Sequence, residues 1–445
     1  LSFYWLTRKL FNHPIALFSG IAFLFMSAPH MASWMDASYS PWPFASNVSQ
    51  SFFYLGLLAL LKLIEKPTYT RATVVGVLLG SMFLGHTAPA ILFGSILTIW
   101  LVWTCVSKKH NLNVLSFSQA LKCYGIVLLV AFIVSTPYHY SILWNYGLQI
   151  KNKAPTEWTY YIFTSNYVVE LLLEQATLKM LLAGIGVGIF WQRRKVEQSL
   201  KTLLLFSWGA SSLGAFVFVY ARQLLAENNI TDLSIIPAHH YYFYIQALVN
   251  ILFGYSCFYL VQYGSQALSK PVSRYKIKAP HVFGLNILFA VVLCFIVVPA
   301  LNRKYEYIKF VPEAEEMTQR IESRQIYDWL RNNSEPEDVF LTTARMGFDV
   351  LGPAGRKVVA VFDSTFSNPY VVHKERLGDA KQLFIAIENN DKALFERLSD
   401  KYALTYVLVE KAKSNAIIQK LPTFLELVYA HNDVRVFKNI LRHVH

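Results

Sequence analysis

The sequence predicts a multi-pass α-helical membrane bundle followed by a small extracytoplasmic α/β domain. Three observations predict it. The chain is 54% hydrophobic and 15% aromatic, and several apolar runs reach spanning length. Residues 72–106 contain no Asp, Glu, Lys or Arg. Residues 301–445 then change character, with 21 Lys/Arg set against 20 Asp/Glu among strand-like and helix-like segments. The expected division is 1–300 for a bundle of about nine spans and 301–445 for the outer domain.

The uncharged stretch 72–106 organises the rest. As one helix it would be roughly 50 Å long, against a hydrocarbon core of about 30 Å. It should fold back at Gly85-His86-Thr87-Ala88-Pro89, where Pro89 interrupts the backbone donors. Lys62, Lys66 and Arg71 precede it, and Lys108, Lys109 and Lys122 follow it. Both basic flanks belong on the cytoplasmic side, so the stretch makes two passes and places His86 at the outer surface.

The remaining spans follow from that parity. Span one is expected at 14–31 and span two at 47–64, separated by an outer loop that carries Asp36. Spans three and four are the hairpin, 72–86 and 89–107. Span five is expected at 121–137. The outer loop 138–178 is rich in Tyr and Trp, which favour the headgroup level, and its YVVELLLEQATL reads as an interfacial helix. Spans six to nine are expected at 178–192, 202–220, 240–262 and 281–300. Inner loops then carry 16 Lys/Arg and outer loops four, Lys151, Lys153, Lys179 and Arg222. No buried charge is read within the spans. Spans three and six are short.

In the tail, 313–332 reads as helix and 338–342 as strand. Gly355-Arg356 reads as a tight turn before the strand KVVAVF. Helices follow at 380–388 and 391–400, Arg376-Leu-Gly-Asp379 marking a helix start with a charge pair. TYVLVE is a strand, and ELVYA with VRVFK a closing hairpin.

The net charge of +13 does not point to nucleic acid, because its excess lies in short inter-span loops. Four cysteines, Cys105, Cys123, Cys257 and Cys294, lie in or beside spans and imply neither a disulfide framework nor a zinc site. GxGxxG, Walker A, GxSxG and HExxH patterns are absent.

Chemistry is expected at the outer side. Asp36, beside His30, Trp34 and Trp42, suits general-base work on an acceptor hydroxyl or a metal, or is a solvated loop acid. His86 suits phosphate or acceptor binding, or plugs the interface. His239 and His240 open an aromatic span start, YYFYIQ, and suit a lipid phosphate, less so a metal, or anchor the interface. Arg222 can neutralise a lipid phosphate or pair with Glu227. No resident metal site is expected. The cofactor is unspecified, although a divalent metal is compatible with Asp36.

The layout resembles the GT-C superfamily of polyprenyl-phosphate-sugar-dependent glycosyltransferases. The matching stretches are TRKLFNHPIAL, the acid-bearing Pro/Ser outer loop, the hairpin around GHTAP, PAHHYYFYIQALVNILFG, and the tail segments IYDWLRNNSEPEDVFLTT, GPAGRKVV and LSDKYALTYVLVE. The resemblance implies transfer of a sugar from a polyprenyl-phosphate donor to a glycan, lipid or protein acceptor at the outer face of a bacterial or archaeal plasma membrane. It also implies that Asp36 lies in the second outer loop and that the principal catalytic acid lies upstream of Leu1. The opening LSFYWLT, which reads as the tail of an apolar segment, agrees; a cleaved signal peptide is the other reading. Relatives often place Arg where this chain has His239 and His240. The alternatives are a non-catalytic membrane scaffold of the same layout and, less favoured, a transporter.

Overall fold

The computed structural model describes residues 1–25, 45–106, 116–155, 178–193, 199–228, 230, 239–273, 321–343, 346–361, 367–410, 421–431 and 434–441. It contains two compact units. One comprises Leu1–Ser141 with Tyr160–Glu306, the other Ile142–Thr159 with Tyr307–His445.

The first unit is helical. In chain order its described helices are α1 (Ser2–Leu10), α2 (His13–Phe25), α3 (Ala45–Glu65), α4 (Tyr69–Gly85), α5 (Thr87–Val106), α6 (Phe117–Tyr140), α7 (Leu178–Arg193), α8 (Ser199–Glu227) and α9 (His239–Ser273). Side-chain caps start several of them. Asn12 Oδ1 accepts from Ile15 N at 2.9 Å, Thr68 Oγ1 from Arg71 N at 3.3 Å, and Ser116 Oγ from Gln119 N at 3.3 Å. Five stretches, within α3, α5, α8 and α9 and from α6 through Asn145, are long and apolar enough to cross a membrane. The chain is a multi-pass membrane protein.

The hairpin of residues 72–106 forms as expected, with α4 and α5 meeting at His86. Gly56 of α3 packs near Met82 of α4, so these two are antiparallel. Gly76 and Gly80 of α4 lie against Val127–Val130 and Ala131–Val134 of α6, so these run parallel. The paired glycines let the two backbones approach as small residues do in membrane helices. On the far side, α7 runs parallel to α9, with Lys179 beside Gln246 and Gly186 beside Leu252. Pro137 sits inside α6, which passes into a π-helical turn at Ser141–Asn145.

The second unit is an α/β/α layer. Its elements are α10 (Ile321–Asn333), β1 (Val339–Thr342), α11 (Gly347–Leu351), β2 (Lys357–Val358), α12 (His373–Glu388), α13 (Lys392–Tyr402), β3 (Leu404–Glu410), β4 (Leu425–His431) and β5 (Val434–Asn439). The sheet order is β2-β1-β3-β5-β4. β1 pairs parallel with β2 and β3, while β3–β5 and β5–β4 are antiparallel. β3 is buried from Leu404 to Val409 because both sheet faces are covered. Val407 and Val409 pack with Leu383, Ile387 and Phe395 of α12 and α13. Tyr406 and Leu408 pack on the other face with Ile326 and Leu330 of α10.

The expected strands at 338–342 and TYVLVE and the closing hairpin are present, whereas KVVAVF is strand only at Lys357–Val358. Gly355 has φ +65, the turn its position predicts. Arg356 caps the C-terminus of α10, its guanidinium donating to Arg331 O at 3.0 Å, Ser334 O at 2.6 Å and Ser334 Oγ at 2.9 Å. One further expectation is corrected. α12 begins at His373, so Arg376 and Asp379 lie within it rather than at its start, and Asp379 pairs with Lys401 of α13 at 2.6 Å. The described residues 142–155, part of the expected outer loop, pack within the α/β unit. The backbone N–H groups of Lys151 and Asn152 both donate to Pro369 O at 2.9 Å, and Tyr146 stacks on Tyr370 with centroids 5.4 Å apart. The expected interfacial helix and span nine fall outside the described residues.

Candidate functional site at one end of the bundle

An aromatic layer crosses the bundle around Phe53. Its ring centroid lies 4.6 Å from Tyr244, 5.4 Å from Trp208 and 6.3 Å from Phe93. The layer therefore ties α3, α5, α8 and α9 together. One turn from it toward the α4–α5 hairpin lie Ser49 and Gln50 on α3 and Ser211 and Ser212 on α8, all buried. Ser49 Oγ, Gln50 Nε2, Ser211 Oγ and Ser212 Oγ make no hydrogen bond among the described residues. Buried polar groups in an apolar bundle are expensive, and such a level is suited to a hydroxylated ligand or ordered water.

Beyond that level stand His86 and His240. The α4–α5 turn places His86 in extended backbone, with its N–H donating to Met82 O at 2.7 Å. Its Nδ1 accepts from Ala88 N at 3.2 Å and so caps α5. A ring nitrogen that accepts from an N–H carries no proton, which makes the ring the Nε2–H tautomer, a donor. His240, in the first turn of α9, faces this ring at 4.5 Å between centroids and 31° between planes. It also lies 5.9 Å from the Phe243 ring.

A buried polar chain leads inward from the same end. Gln246 Nε2 donates to Tyr242 OH at 2.5 Å, and Lys179 Nζ donates to Gln246 Oε1 at 3.1 Å. Lys179, Gln246 and Tyr242 are only 4–5% exposed. This corrects two expectations, since Lys179 is not a solvated loop cation and α7, expected as span six, does bury a charge. A visible signal was its isolation, as the single charge in the apolar run 178–191.

The structure thus brings together two of the residues singled out in the sequence, His86 and His240. Arg222 is half-buried on α8 and lies about four turns beyond Trp208 toward the same end. Near it, Glu227 Oε1 accepts from Gln223 Nε2 at 3.2 Å. His239 opens α9, but its side chain, like Asp36, lies outside the described residues. Among the described residues no group of three or more His, Cys, Asp or Glu is placed to hold a metal ion.

No family model and no curated protein matches the chain. Solved structures similar to it include the oligosaccharyltransferase of Archaeoglobus fulgidus in its apo form, at 12% identity and a TM-score of 0.42, over 94% of this chain and 58% of that one. AglB from the same organism, solved with an inhibitory peptide and a dolichol-phosphate, gives 12% identity and a TM-score of 0.41 over the same shares, 94% and 58%. ArnT from Cupriavidus metallidurans, bound to undecaprenyl phosphate, gives 13% identity and a TM-score of 0.45, over 98% of this chain and 81% of that one. The chain spans 58% of the length of those two archaeal structures.

Proposed function

We propose that the protein is a membrane glycosyltransferase that takes a sugar from a polyprenyl-phosphate donor and passes it, with inversion, to an acceptor hydroxyl at the outer membrane face. The observation that carries this reading is the contact between the His86 and His240 rings beyond a buried level of Ser and Gln side chains. Hydroxyls and amides suit a sugar ring. Imidazole N–H groups suit a phosphate oxygen. In the proposed step the acceptor oxygen attacks the anomeric carbon, its proton passes to the carboxylate of Asp36, and the bond to phosphate breaks. His86, His239, His240, Arg222 and Lys179 are the candidates to stabilise the departing polyprenyl phosphate.

The test is transfer of a radiolabelled sugar from a polyprenyl-phosphate donor by purified full-length protein in nanodiscs. Asp36→Asn and His240→Phe should each lower kcat by about 100-fold. Full transfer in both variants would remove these roles, and no sugar release at all would favour the scaffold. The buried Lys179 is one observation that favours a transporter, because intramembrane cations commonly line substrate paths. Solute flux through proteoliposomes without sugar release would establish that reading instead.

A further inference from the structure

The α/β unit carries a groove of about 280 Å³ that the bundle chemistry does not use. It lies where the segment 142–159 crosses the start of α12. Stacked rings of Tyr146 and Tyr370 form one wall, 20° from parallel. Arg376 and Tyr402 form another, with the guanidinium 5.2 Å from the ring centroid. Lys151 and Glu375 complete the lining used here.

The charges are not equivalent. Lys401, also in the lining, is engaged by Glu375 and Asp379, both at 2.6 Å. Arg376 gives Nη1 to Val359 O at 3.3 Å, and among the described residues its Nε and Nη2 donate to nothing. The guanidinium lies over the Tyr402 ring, which Lys401 Nζ also faces at 5.3 Å. A planar guanidinium matches a carboxylate or phosphate oxygen pair. Lys151, on the exposed rim, adds a second positive charge with no ion-pair partner among the described residues. The paired tyrosines offer broad ring faces, against which the C–H face of a pyranose packs. A hydroxylated ring with one anionic group satisfies all of these features together; a bare anion would leave the tyrosine wall unused.

We infer that this groove binds an anionic monosaccharide unit, recognised by Arg376 and Lys151 through its charge and by Tyr146 and Tyr370 through its ring. The site is separate from the transfer chemistry proposed above and is read by binding alone, so failure of either leaves the other standing.

The experiment is ligand-detected NMR on full-length protein in detergent, with D-glucuronate, glucose 6-phosphate, D-glucose and inorganic phosphate as probes. At least one of the two anionic sugars should bind in the millimolar range or tighter, and D-glucose at least about tenfold more weakly. Whichever binds more tightly identifies the anion as carboxylate or phosphate. Arg376→Gln and Tyr370→Ala should each weaken binding about tenfold, and Arg376→Lys should weaken it less than Arg376→Gln. Lys201→Gln, in the other unit, should leave it unchanged. The inference is overturned if neither anionic sugar binds by about 10 mM, if the variants bind like the parent, or if inorganic phosphate binds as tightly as the sugar phosphate.

Discussion

Lys179 Nζ donates to Gln246 Oε1 between two parallel helices that share an apolar core. The bond satisfies part of a charge that the bundle would otherwise reject. Removing only the acceptor is therefore the more damaging change. Gln246→Leu should lower stability by about 1–3 kcal/mol. Adding Lys179→Met should restore much of the loss, since an apolar pair leaves no buried charge. Thermal unfolding of both single variants and the double variant in micelles measures this. Simple additivity would mean that the two residues do not act as a unit.

The α4–α6 contact depends on the absence of a side chain. A Cβ at Gly80 would stand 2.6 Å from Val134 Cβ and 2.8 Å from Ala131 O. Gly80→Leu must push the helices apart and should cost about 1–3 kcal/mol. Gly94→Ala, where a Cβ meets nothing within 4 Å, is the matched control and should be near neutral. The two melting temperatures test the contrast.

Arg356 is predicted to be structural. Its several carbonyl contacts close the open end of α10, and Arg356→Ala should destabilise the α/β unit by about 1–3 kcal/mol. Arg356→Lys should recover little, because an ammonium cannot reproduce the fork. Hydrogen exchange over 321–334 locates the effect: faster exchange confined to that helix is expected, and unchanged exchange would refute it.

Asp379 supplies a pH dependence. Hydrogen bonds from Lys401 and Tyr402 hold its carboxyl below the usual range. A depressed carboxyl stabilises the fold above its unfolded pKa, and that contribution disappears as pH falls through the folded value. The α/β unit should keep this contribution from neutral pH to about pH 4 and lose it in more acidic solution. Asp379→Asn should flatten the acid limb. An unchanged limb in the variant would assign the loss to other carboxylates.

The parts of the fold legible in the sequence were those with local periodicity. The hairpin of 72–106 followed from length and charge, and β3 from the apolar run TYVLVE. The start of α12 was missed because HKERLGDA places mostly polar side chains on a helix that buries its apolar face only later, from Ala380 onward. KVVAVF reads as a full strand, yet only Lys357 and Val358 pair with β1. Lys179 was misplaced for a physical reason. Loop-charge counting treats a lysine near a span end as solvated, whereas its burial is decided by Gln246 on another helix. Of the site, the identities of His86 and His240 were visible, but their contact was not, because only tertiary packing creates it.

The attachment of residues 142–159 to Pro369 and Tyr370 makes the α/β unit discontinuous along the chain. During synthesis this segment leaves the ribosome well before its partners. At about 5–20 residues per second the delay is on the order of 10–40 s. Throughout that interval Tyr146 has no Tyr370 to stack on, and the segment must be shielded by lipid, by a chaperone or by its own transient structure. A fragment cut to begin at Tyr307 would face the converse problem, folding with the Tyr370 surface bare.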